Sequence, residues 1–169
     1  MLRLISGLIV ALVVTSVHSA EADKDYSALL REKGASYCSK AINKTANYLL
    51  DSSSEIVAVW NIEAPGQHGA SILTGSRVGD TSGISHITAS QNGAGGCDVA
   101  FTVTIPLPTA CAALRESTFK EWKYFGVLSG LAVYDDPTTE NVSVMLQPAG
   151  SGCVVVKMGS LFFDKASLK

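Results

Sequence analysis

Residues 95–122 read GGCDVAFTVTIPLPTACAALRESTFKEW, a strand, a proline-marked turn and a helix in succession. Cys97, Val99, Phe101, Val103 and Ile105 fall on one face of the first part, and Asp98, Ala100, Thr102 and Thr104 on the other. That alternation is the mark of a half-buried strand. Pro106 and Pro108 end the pairing, because proline offers no N–H to a ladder and biases the residue before it away from the α region. Thr109 is then a candidate N-cap, and the stripe Cys111, Leu114, Thr118, Trp122 and Phe125 predicts a helix from Ala110 that lies back over a sheet.

Working outward, residues 25–50 predict one long helix with Leu30, Gly34, Tyr37, Cys38, Ala41, Ile42, Thr45 and Leu49 on its apolar stripe. Gly34 costs that helix about 1 kcal/mol relative to alanine and marks a bend or a close approach. Residues 55–62 read as a strand, Ala64-Pro65-Gly66 as a turn, and residues 68–76 and 83–91 as two weaker strands. Beyond the central helix, residues 125–134 are apolar on both faces and read as one central strand. Pairing it with residues 141–147 sets Val133 opposite Val142 and Leu131 opposite Val144. A turn at Pro148-Ala-Gly-Ser-Gly152 leads into residues 153–163, and pairing about its centre sets Leu146 against Val154, Val144 against Val156 and Val142 against Met158. The order is α-ββββ-α-βββ, an α+β fold with an antiparallel sheet of about seven strands and two helices on one face. The two helix-then-strands halves hint at a duplication, although sequence matches between them are too sparse to define a repeat.

The chain of 169 residues, 47% of them hydrophobic, is the size of one domain with a substantial core. Ahead of it, Arg3, the apolar run Leu4 to Val14 and the small residues Ala20 and Ala22 form the pattern of a secretory signal peptide. The expected division is a signal over residues 1–22, cut after Ala22 in preference to Ser19, and one disulfide-stapled domain over residues 23–169. All four cysteines, Cys38, Cys97, Cys111 and Cys153, follow the signal, and an even number in an exported chain implies two disulfides. No pair has C-x-x-C spacing. Two helices side by side on one sheet face predict Cys38 with Cys111, and two strand starts after glycine-containing turns predict Cys97 with Cys153. Cys97 with Cys111 is disfavoured, since the strand from Cys97 to Ile105 advances about 26 Å.

Thirteen basic and fifteen acidic side chains give a net charge of −2, and the cations are scattered, so nucleic acid finds no electrostatic footprint. Beyond the signal only His68 and His86 remain as histidines, and no G-x-S-x-G elbow occurs. Asp98, Glu116 and Glu121 have no spacing that selects them as an acid/base pair. Residues 135–140, DDPTTE, lack the ligand order of a calcium loop and read as a hairpin turn. Eight of the fifteen glycines lie between Gly66 and Gly96, which reads either as connective, solvent-facing sheet or as an adaptable binding surface. The expectation is a periplasmic or secreted, non-enzymatic binding module for an unidentified protein or envelope component. It carries no cofactor and no catalytic or metal-ligating residue, and no membrane span once the signal is removed. The alternative is an exported hydrolase whose carboxylates or histidine assemble only in three dimensions.

Overall fold

A computed structural model of the protein describes residues 25–50, 54–78 and 80–168. The expected signal segment lies outside the described residues. The chain forms α1 (Ala28–Glu32), α2 (Ser39–Leu49), β1 (Glu55–Val59), β2 (Ala70–Val78), β3 (Thr81–Gln91), β4 (Cys97–Leu107), α3 (Cys111–Glu116), β5 (Lys123–Leu128), β6 (Leu131–Asp135), β7 (Val142–Ala149) and β8 (Gly152–Phe163). The strands make one antiparallel sheet in the order β1-β2-β3-β4-β8-β7-β6-β5. The α+β class is as expected, with eight strands rather than seven.

The sheet is two four-strand meanders joined through β4 and β8. Cys97 pairs with Phe163 and Cys153 with Leu107, so the ladder is symmetric about Thr102 and Met158. Each meander is preceded by a helix, and each helix is tied at its start to the beginning of its own last strand: Cys38 to Cys97, and Cys111 to Cys153. The glycines before those strand cysteines repeat the pattern. A Cβ at Gly96 would overlap the carbonyl oxygen of Phe163, and one at Gly152 would overlap that of Leu107. The duplication that the sequence only hints at is therefore present in topology, disulfide placement and backbone contact.

This symmetry corrects the expected pairing of Cys38 with Cys111 and Cys97 with Cys153. Antiparallel neighbours place their starts at opposite ends, so Cys97 and Cys153 are separated by almost the length of the ladder, roughly 30 Å. Cys38 and Cys111 sit on helices over different halves of the sheet. The disfavoured pair, Cys97 with Cys111, is not formed.

The single helix over residues 25–50 is also corrected. Gly34 has φ +83°, the Ala35 N–H donates to Leu30 O and the Gly34 N–H to Arg31 O. This is a Schellman ending, with Leu30 and Ala35 both buried, so α1 stops and α2 restarts at Ser39. The third helix has Ala110 rather than Thr109 at its N-cap, and it is shorter than its stripe predicts. Ser117 Oγ donates to Ala113 O, and the chain leaves the helix to pack Phe119 edge-on against Trp122, with ring centroids 5.2 Å apart. The central strand expected over residues 125–134 is a hairpin, β5 and β6. Ser129 (φ +51°) and Gly130 (φ +85°) both adopt positive φ, the requirement of a tight two-residue turn.

Registers differ accordingly. Val133 faces Met145 and Tyr134 faces Val144. At the next turn only Gly150 and Ser151 are unpaired, so Leu146 faces Val155, Val144 faces Lys157 and Val142 faces Gly159. That slip of one residue turns Val154, Val156 and Met158 to the open face and Cys153, Val155 and Lys157 to the helical face.

All three helices cover one face. Leu30, Ala41 and Ile42 pack on Ile72, Ile87, Val99 and Phe101 in the first half, while Leu114 and Phe119 pack on Val144, Leu146 and Val155 in the second. Trp122 touches both clusters. Burying a branched aliphatic side chain in such a core contributes about 1.5–3 kcal/mol. Between the clusters Lys157 reaches inward. Its Nζ lies 5.0 Å from the Tyr48 ring, 5.8 Å from the Trp122 ring and 3.9 Å from Asp136 Oδ2. The opposite face carries no helix and exposes Leu73, Ile84 and Phe162.

Candidate binding cleft

Three segments converge at one end of the first half: Tyr37 and Cys38 before α2, residues 66–69 entering β2, and residues 90–93 leaving β3. They enclose a cleft of about 450 Å³. The left-handed Gly34 turns the chain out of α1 toward Tyr37, and a Cβ at Gly34 would lie 3.4 Å from Pro65 Cγ, so the β1–β2 loop rests on the α1–α2 link. At Gly69 a Cβ would lie 3.0 Å from Ala89 O, which fixes how closely that loop meets β3. The third wall is held by Asn92. Its Oδ1 accepts from the N–H of Ala94 (3.1 Å) and Gly96 (2.9 Å), and its Nδ2 donates to Asp98 Oδ1 (3.0 Å). The Cys38–Cys97 bond then joins the helical wall to the sheet directly behind the cleft.

Asn92 is thereby committed to structure, but other groups are not. The side chains of Tyr37, Gln67, His68, Ser90 and Gln91 are exposed and make no hydrogen bond among the described residues. No Asp, Glu, Lys or Arg lines the cleft, and neither does any aliphatic side chain. What it offers is an aromatic ring, two carboxamides, a hydroxyl and an imidazole on covalently fixed walls. The second half has no counterpart to this loop. Its β5–β6 connection is only Ser129 and Gly130, where β1 and β2 are joined by residues 60–69. The cleft is an elaboration of one half of a duplicated frame.

The other residues singled out in the sequence do not converge. His86 sits on the open face opposite Leu73, with Thr88 Oγ1 at 3.3 Å from its Nε2. His68 precedes β2, whose Ala70 pairs with Ala89, well along β3 from His86. Asp98 points to the open face while Glu116 lies on α3 across the sheet, and Glu121 is exposed beside Lys120 at 3.8 Å. In the acidic turn Asp136 Oδ1 accepts from the N–H and Oγ1 of Thr138 (2.9 and 2.7 Å) and from the Thr139 N–H (3.2 Å). Asp135 Oδ1 accepts from Ser143 Oγ at 2.7 Å. Burial raises the Asp136 pKa, yet the Thr138 donors, the Lys157 charge and the Thr139 N–H together bring it below the ordinary 3.8. Among the described residues no group of three or more His, Cys, Asp or Glu side chains is placed to hold a metal. A smaller cavity of about 230 Å³ beside α1 and α2 has its cations engaged, Arg31 by Asp25 and Lys44 by the Ser167 carbonyl.

Sequence reasoning assigned Tyr37 to the helical stripe, whereas the Schellman turn at Gly34 rotates it out to the cleft. Gln67 and Gln91 carried no signal beyond lying within the glycine-rich stretch. No protein-family model matches the chain, and no curated protein or solved structure shows significant similarity to it.

Proposed function

We propose that the protein is an exported binding module whose ligand occupies the cleft between Tyr37, residues 66–69 and residues 90–93. The observation that carries this reading is the pairing of rigid walls with uncommitted polar side chains. Walls held by Cys38–Cys97 and by the Asn92 bonds lose little freedom on binding, so contacts made there are not consumed in ordering the protein. Two disulfides suit an oxidising compartment. Among the described residues no helix is long and apolar enough to cross a membrane. The lining supplies one imidazole and no carboxylate, which favours binding over acid/base hydrolysis.

Gly93 provides the test, since a Cβ there meets nothing within 4 Å. Gly93→Trp sets a large side chain at the rim of the cleft, where its Cβ meets open space, without disturbing the core. The variant is expected to keep the melting temperature and both disulfides while losing whatever component the native protein retains from the exported fraction. Equal retention by Gly93→Trp would refute the reading.

A further inference from the structure

Resting on the cleft reading, we infer that the ligand is a neutral saccharide segment, recognised by stacking on Tyr37 and by hydrogen bonds from the carboxamides of Gln67 and Gln91. Three properties of the lining select this chemistry. First, it bears no formal charge, so an ionic ligand would find no countercharge there. Second, it has no aliphatic side chain, and the anchor residues through which protein partners bind require a desolvated apolar pocket. Third, a primary carboxamide presents both donors and an acceptor in one plane, matching adjacent hydroxyls that each donate and accept.

Tyr37 completes the arrangement. It is 43% exposed, and its hydroxyl would lie 3.8 Å from a Cβ at Gly95, so the ring extends from the start of α2 to the β3–β4 turn. With only two side-chain torsions to fix, Tyr37 offers a flat apolar face at low entropic cost, suited to the C–H face of a sugar. Gly66, Gly69 and Gly93 keep the rest of the lining close to bare backbone. The volume of about 450 Å³ lies within the range of small-ligand sites.

The experiment is calorimetric titration of the exported, oxidised protein with maltose, cellulose and N-acetylglucosamine oligomers, with heparin and polygalacturonate, and with a mixture of uncharged peptides. Saturable binding of at least one neutral oligomer is expected, weakened roughly tenfold by Tyr37→Ala and by Gln91→Ala, and retained by Tyr37→Trp. Binding of no neutral oligomer, or of the charged polymers alone, overturns the inference. So does neutral-oligomer binding indifferent to both alanine variants. Peptide binding that Gly93→Trp abolishes would overturn the saccharide and leave the cleft standing, whereas saccharide binding that Gly93→Trp leaves intact would overturn both.

Discussion

Removing the two disulfides one at a time is expected to have nearly the same effect on stability and different effects on the cleft. The bonds close loops with sequence separations of 59 and 42 residues. Because loop entropy grows only with the logarithm of length, each bond is worth about 4 kcal/mol through the unfolded chain, and the two differ by only about 0.3 kcal/mol. In a chain of this size such a loss lowers the melting temperature by on the order of 10 °C. Cys38→Ala with Cys97→Ala frees the helical wall that carries Tyr37, so it should also weaken ligand binding. Cys111→Ala with Cys153→Ala ties nothing at the cleft and should leave affinity unchanged in the folded protein. Urea unfolding followed by the fluorescence of Trp60 and Trp122, both packed on the core, measures stability, and titration below the midpoint measures affinity. Equal losses of affinity in the two variants would refute the argument, as would a first variant destabilised by much less than about 1 kcal/mol, against the roughly 4 expected.

Other expectations follow from single contacts. Gly96→Ala and Gly152→Ala should each destabilise by roughly 1–3 kcal/mol or more, because each Cβ meets a carbonyl oxygen, whereas Gly93→Ala should be nearly neutral in thermal melts. The Thr74 hydroxyl is buried without a hydrogen-bond partner among the described residues, so Thr74→Val should hold or raise stability by up to about 1 kcal/mol in urea unfolding. The folded pKa of Asp136 lies below its ordinary 3.8, so its contribution to stability is complete above that value and is lost as the pH falls below it. Lys157→Met should raise that pKa, since the Lys157 charge is one of the causes that lower it; carboxyl NMR titration reads the shift.

The extent to which the fold was legible follows the range of the forces involved. Alternation in residues 97–105 identified most of β4 and its buried face because hydrophobic patterning is local, but Pro106 does not end the strand, since it pairs with Val154 and Leu107 with Cys153. Gly34 announced a break but not its form, which depends on the Ala35 N–H reaching Leu30 O. Ser129-Gly130 was hidden by the apolar residues on either side, and two positive φ values there make two strands of one. The slip in β8 arose from a turn closing on two residues instead of three. In a period-two structure that difference turns Lys157 to the helical face and Met158 to the open one. Disulfide pairing was the least legible feature, because it follows from which strand lies beside β4, a contact between the middle of the chain and its last strand. The cleft was legible only as a glycine-rich region. Tyr37 reaches it through a turn, and Gln67 and Gln91 have no periodicity to betray them.

Chemical-shift mapping of the isotope-labelled, oxidised protein against the neutral oligosaccharide panel tests the central claim most directly. The account predicts perturbations concentrated at Tyr37, residues 66–69 and residues 90–93, with the Gly130 turn of the second half silent. Perturbations centred instead on the open face at Leu73, Ile84 and Val156, or along β5 at Tyr124 and Val127, would contradict it.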